Sequence, residues 1–176
     1  LDINDVKQAI AKNDESFLKC MKAVQDSLYR ISIAIVKNEH DCHDAIQETI
    51  LKAYRSIEKL KEPSHFKTWM IRILINESND ILRKRKKLLF FQKVKEEGYT
   101  PTYCRNEELH KALESLPNKQ KMIVLLFYFE ELRVEEIAEV LQVSSGTVKQ
   151  HLFRARKALG KILKKDREGE VYYEGV

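Results

Sequence analysis

The stretch Val134-Glu135-Glu136-Ile137-Ala138-Glu139-Val140-Leu141-Gln142-Val143-Ser144-Ser145-Gly146-Thr147-Val148-Lys149-Gln150-His151-Leu152-Phe153-Arg154-Ala155-Arg156-Lys157 decides the fold. Val134, Ile137, Ala138 and Leu141 recur at helical spacing, and Glu135 and Glu136 sit where a helix N-terminus favours negative charge. Gln142-Val143 makes a brief turn, and Ser144 or Ser145 caps a further helix through about Lys164. In that helix Val148, Leu152, Ala155 and Leu159 form one apolar stripe, which leaves Gln150, Phe153, Arg154 and Lys157 on the opposite side. Helix, short turn, helix is the layout of a helix-turn-helix.

Charge is sorted between these two helices. From Ser144 to Lys165 every charged side chain is basic and His151 is added, whereas the preceding helix is rich in Glu. A major groove admits one α-helix; its base edges offer acceptors to Arg or Lys and a matched donor and acceptor to Gln. Phe153 can touch a thymine methyl. The residues thus point to a face that reads duplex DNA.

Upstream of this element the sequence predicts a helix from about Asn106 to Leu116, a break at Pro117, and a strongly apolar helix from about Lys119 to Glu131. Its apolar run, Met122 to Phe129, falls far short of the roughly 20 residues of a membrane span. Before Asn106, Gly98 and Pro101 interrupt the periodicity, so 88–105 reads as a linker between two domains. The first domain, 1–87, holds three predicted amphipathic helices. One is capped by Asn13 or Asp14 and carries Phe17, Met21, Val24, Leu28, Ile31 and Ile35. A second runs from near Asp41 to Leu60, with Ile46, Ile50, Ala53, Ile57 and Leu60 inward and Asp44, Gln47, Glu48, Leu51 and Arg55 outward. A third follows Pro63, with Ser64 as cap and an apolar arc of Phe66, Trp69, Met70, Ile73, Leu74 and Ile81. The second domain spans 106–165, and 166–176 is an acidic, aromatic tail.

The whole chain of 176 residues suits one medium domain or two small ones. At 43% hydrophobic and 34% charged residues it is too apolar for disorder and too charged for a membrane interior. Five glycines and three prolines favour long helices over many-turned strands, hence an all-α class. A formal charge of +5 fits a polyanionic partner. Cys20, Cys42 and Cys104 are odd in number and lack paired spacing, which fits a reducing cytoplasm better than a disulfide scaffold. The polar start from Asp2 lacks an apolar signal core, and Leu1 in place of Met points to a processed start.

The third helix of the first domain adds a polar stripe, Arg72, Asn76, Asn79 and Arg83, which Arg83-Lys84-Arg85-Lys86-Lys87 extends. Such a face can follow phosphates and hydrogen-bond exposed bases of separated strands. Trp69 lies in the apolar arc and is read as core rather than as a stacking platform.

These residues together resemble the extracytoplasmic-function (ECF) group of bacterial sigma factors. Asp44-Ala45-Ile46-Gln47-Glu48-Thr49 with Tyr54 looks like the family's region 2 motif, whose helix docks on the β′ clamp of RNA polymerase. Phe66-Lys67-Thr68-Trp69, then Asn76 and Asp80 before Ile81-Leu82-Arg83, is similar to its minus-10 recognition helix. Leu116-Pro117, Glu136-Ile137-Ala138, Gly146-Thr147-Val148-Lys149 and Phe153-Arg154-Ala155-Arg156 resemble its minus-35-binding region 4.

The resemblance implies a transcription initiation factor without catalysis, cofactor or small-molecule substrate. Its implied partners are core RNA polymerase, through the β′ clamp and β subunit, promoter DNA, and a membrane-associated anti-sigma factor. Asp44, Gln47, Glu48 and Leu51 are the implied polymerase contacts. Arg72, Asn76, Asn79, Asp80, Arg83 and Lys84 are those to the minus-10 element; Thr147, Lys149, Gln150, Phe153, Arg154 and Lys157 are those to the minus-35 element. The loop from Glu58 to His65 is implied to capture an unstacked base. Gln142 stands where the family often has Gly, which demands a different turn or a left-handed residue costing ~1 kcal/mol. Gln150-His151 replaces a frequent Ser-Arg pair, and Ile75 a common Arg.

The rival reading is a self-sufficient helix-turn-helix regulator with an N-terminal helical effector or dimerisation domain, binding paired half-sites as a dimer. His40, Cys42 and His43, with Asp41 and Asp44, resemble metal ligands in kind, but no second ligand cluster accompanies them and caps are favoured at a helix start. No phosphate-binding glycine loop, nucleophile elbow or HExxH occurs.

Overall fold

The first described element is a helix that periodicity alone did not predict. In the computed structural model, which describes residues 1–92 and 107–170, α1 covers Ile3–Ile10 and buries Val6 and Ala9, with Asp2 accepting from the Asn4 N–H at 2.7 Å. Lys12 then turns the chain in the left-handed region at φ 66°. Asn13 caps α2 (Asp14–Val36) by accepting from the Ser16 N–H at 2.8 Å, and Asp14 and Glu15 occupy its positive end. The expected stripe of α2 is buried from Phe17 to Ile31, Ile35 only partly.

α3 runs over Glu39–Ser56, two residues earlier than the sequence predicts, because Asn38 caps it through the Asp41 N–H at 2.9 Å. It stops at Ser56 and passes into a 3-10 turn at Ile57–Lys59. Its innermost line is Cys42, Ala45, Thr49 and Ala53, while the expected Ile46 and Ile50 are only half-buried. Small side chains let α2 and α4 approach closely, and the Thr49 hydroxyl is satisfied by the Ala45 carbonyl at 2.7 Å. Ser64 caps nothing by its side chain; it lies inside a second 3-10 turn, Pro63–His65, whose fixed proline φ starts the turn.

α4 begins at Phe66 and continues past Lys87 to Gln92, so its backbone enters the segment read as linker. Phe66, Met70, Ile71, Leu74 and Ile75 are buried, and Trp69 is half-buried at the core's margin with its ring 6.1 Å from that of Phe66. Two polar ties cross this core: Ser32 and Ser78 hydroxyls at 3.3 Å, and Lys52 to the nearly buried Glu77 at 2.6 Å. α2, α3 and α4 pack on one another and α1 lies on α2.

Close contacts divide the chain into two compact units, Leu1–Pro101 and Thr102–Val176. In the second, α5 (Glu107–Glu114) leads through Pro117 to α6 (Asn118–Val124), which widens into a π-turn at Leu125–Phe129 where an unbroken helix was expected. α7 (Val134–Leu141) and α8 (Ser145–Glu170) follow. α5, α6 and α7 all pack against α8, and Leu113, Leu116, Val124 and Ala155 form one buried cluster of this unit. Lys121 is buried and pairs with Glu114 at 2.8 Å. The described residues are helical with no strands, an all-α fold. The linker residues 93–105, Cys104 among them, and the last six residues of the tail lie outside the described residues; 166–170 continue α8.

Gln142 settles the turn. It is left-handed at φ 53° and ψ 47°, and the Val143 N–H reaches back to the Ala138 carbonyl at 3.0 Å, closing α7 as a glycine would. A Cβ in this region costs ~1 kcal/mol. Gln142→Gly is therefore expected to stabilise the second unit by about 0.5–1 kcal/mol, read as a higher urea midpoint for residues 102–176 at unchanged slope.

Candidate nucleic-acid interface

α8 is fixed by its cap and by the helices beneath it. The Ser144 hydroxyl accepts from the Thr147 N–H at 3.1 Å, so the first turn starts in register, and Val148, Leu152 and Ala155 are buried while Leu159 is half-buried. This leaves Lys149, Gln150, Phe153, Arg154 and Lys157 exposed, Phe153 at 67%. An aromatic ring so exposed gains nothing from the core and is available to a partner. Thr147 differs from its neighbours: it is half-buried and its hydroxyl shares a hydrogen bond with Ser144 at 2.9 Å. The cap spacing of Ser144 and Thr147 was the sequence signal for that.

The same helix carries an arginine that sequence reading left without a role. Arg156 donates from Nε to the Tyr128 hydroxyl at 2.8 Å and lies 5.6 Å from the Phe127 ring centroid. The π-turn is what presents both aromatics. No local pattern announces this pairing across 28 positions.

In the first unit, Asp44, Gln47, Glu48 and Leu51 are all exposed along one side of α3, Leu51 at 47%. They line a cleft with Asn38, His40 and Asp41 and, from α4, Ile81, Lys84 and Arg85. Asp41 binds Arg85 at 2.9 Å, a contact part-buried on both sides, so one member of the basic run serves the helix pair. Lys84, Lys86 and Lys87 stay exposed. On α4, Asn76, Asn79 and Arg83 are exposed and Arg72 and Asp80 half-buried; Arg83 pairs with Asp80 one turn away. Ile75 is buried in the core of the first unit.

The histidines and cysteine near the start of α3 diverge. Cys42 is buried against the Tyr29 carbonyl, and burial pushes its thiol pKa up, while His40 is exposed beside Asp44 at 3.2 Å. Among the described residues no three His, Cys, Asp or Glu side chains converge on a metal position. No described helix is long and apolar enough to cross a membrane.

Two family models match the two units: Sigma-70 region 2 over residues 20–88 and Sigma-70, region 4 over residues 106–159. The chain is 38% identical to the RNA polymerase sigma factor SigV of Bacillus subtilis over 80% of its own length and 86% of that protein's. The chain belongs to the ECF sigma factors. This sigma factor is also 27% identical to the ECF RNA polymerase sigma factor SigW of the same organism, across 90% of its length and 95% of SigW. Among solved structures it matches the sigma factor RpoE of Bartonella quintana, determined with the anti-sigma factor NepR, with a TM-score of 0.73 and 25% identity over 85% of this chain and 98% of that one. Like its family it directs transcription initiation, and the rival reading of an autonomous regulator is not favoured by two sigma models in order on one chain.

Proposed function

We propose that this sigma factor grips core RNA polymerase, at the β′ clamp and the β subunit, through the Asp44, Gln47, Glu48 and Leu51 face of α3, and engages promoter DNA twice. Gln150, Phe153, Arg154 and Lys157 read the minus-35 duplex, with Thr147 and Lys149 at the start of the same helix. Arg72, Asn76, Asn79, Asp80, Arg83 and Lys84 on α4 hold the opened minus-10 element, and the loop from Glu58 to His65 receives one unstacked base. Bond making stays with the polymerase, so the chain supplies binding and orientation only. It works in the cytoplasm. An anti-sigma factor covers its surfaces when it is silent, a reading supported by the complex in which RpoE was solved; that this partner is membrane-associated rests on the family alone.

The observation that carries this is the placement on α8 of an exposed row, Gln150, Phe153, Arg154 and Lys157, opposite a buried one, Val148, Leu152 and Ala155. Such a helix can enter a major groove without disturbing its own core. The test is transcription from a randomised promoter library by purified core polymerase with and without the chain. Enrichment of paired minus-35 and minus-10 sequences only when both are present is the expected result; specific duplex binding by the chain alone, with no effect on core enzyme, would overturn it.

The basic segment gives a separate expectation. Counterion release makes the logarithm of affinity fall with the logarithm of salt by about 0.7 per single-strand phosphate neutralised. Replacing Lys84, Lys86 and Lys87 by Gln should therefore flatten the salt slope of open-complex formation by up to about 2. Arg85 is left out because Asp41 already engages it. An unchanged slope removes the segment from the DNA path.

A further inference from the structure

α1 and the turn after it contain none of the proposed DNA or polymerase contacts, yet they are tied to the segment joining α3 to α4. Lys12 is the knot. Its Nζ lies 3.3 Å from Glu58 Oε2, donates to the Tyr54 carbonyl at 3.3 Å and stands 5.7 Å from the centroid of the Tyr54 ring. Tyr54 is in turn held from α2: its hydroxyl donates to Asp14 Oδ1 at 2.8 Å, and its ring meets Phe17 edge to face at 5.3 Å. α1 also packs against both 3-10 turns, Ile57–Lys59 and Pro63–His65.

Those two turns frame the loop. Ile57 and Leu60 are buried and fix how deep the segment sits, whereas Glu58, Lys59, Lys61, Glu62, Ser64 and His65 form an exposed rim. Buried anchors on one edge leave the rim free to tilt about them. The contacts of Lys12 with Glu58 and Tyr54 remove that freedom from the other side. A site that discriminates one base from another needs its shape set beforehand, since a loop free to shift can remake its contacts around a wrong base.

We propose that Lys12 is a positioning residue for minus-10 recognition, holding the loop from Glu58 to His65 in the shape that receives an unstacked base. This rests on the base-capture reading of that loop. Lys12 and Glu58 are both about half exposed, so their pair adds little to global stability. Its loss shows in discrimination, not in folding.

The backbone supplies a clean test. Lys12 is left-handed, a conformation glycine adopts without strain, so Lys12→Gly removes the side chain while easing the turn. With full-length protein, purified core polymerase and a library randomised at the minus-10 element, Lys12→Gly should lower base discrimination about three- to tenfold. Its melting temperature should be unchanged or higher, and its core affinity and minus-35 preference should be retained. Lys12→Arg should keep discrimination. Lys61→Ala and Glu62→Ala, in the rim itself, are run in parallel. If they shift base preference and Lys12→Gly does not, the positioning role falls and base capture stands; if neither shifts it, both fall. Loss of minus-35 preference or a lower melting temperature in Lys12→Gly, or loss of discrimination in Lys12→Arg as complete as in Lys12→Gly, also overturns the proposal.

Discussion

Arg154→Ala is expected to lower preference for the matched minus-35 base pair by about 1–3 kcal/mol, roughly 5- to 150-fold, while binding to unrelated duplex changes little. The side chain is exposed on α8, about 100° round the helix from the buried Ala155, so its removal leaves no cavity and breaks no buried contact. The guanidinium offers a fork of donors matched to guanine O6 and N7, and a mismatched base leaves those donors unpaired in a dry groove. Competition between matched and substituted minus-35 duplexes in the holoenzyme measures it. An equal loss on every sequence would assign Arg154 to phosphate instead.

Leu51→Asp should have the larger effect on assembly. Leu51 is an aliphatic side chain 47% exposed among Asp44, Gln47 and Glu48, so the free protein gains little from it. If it is covered on docking, a carboxylate there must shed its water without a partner, which costs several kcal/mol. Affinity for core polymerase is expected to fall by about 2–4 kcal/mol, tens- to several-hundredfold, in competition with the unaltered protein. Folding stability should move by only about 0.5 kcal/mol, the range of surface substitutions. Full affinity in Leu51→Asp would place the docking surface elsewhere.

The helix-turn-helix was legible because its signals are local. Four apolar positions, two first-turn glutamates, a serine cap and a one-sided basic helix all lie within about thirty residues, and α7 spans the predicted Val134–Leu141. The exposed rows on α3 and α8 were equally legible, since helical period dictates which positions share a side. α1 was not: with only Val6 and Ala9 buried, eight residues make too short a stripe to stand out from polar surroundings. The inward line that begins on α3 was read correctly at Ala53, Ile57 and Leu60 and missed at Ile46 and Ile50 for a related reason. Large isoleucines dominate a hydrophobicity pattern, but the fully buried positions of α3 are Cys42, Ala45, Thr49 and Ala53, whose smallness matters only once a neighbour is there.

What the chain determined by itself is the set of properties that depend on neighbours within a few residues: the main helices, the Asn13 and Ser144 caps, and the sorting of charge along α8. Tertiary structure alone decided which charged groups are available. Arg85 looks like its basic neighbours until Asp41 reaches it, Arg156 until Tyr128 does, and Lys12 is an ordinary turn lysine until Tyr54 and Glu58 come beside it. Those partners are 44, 28, 42 and 46 positions away, beyond any periodic signal, and they meet only because burying the apolar stripes of separate helices brings their polar edges together.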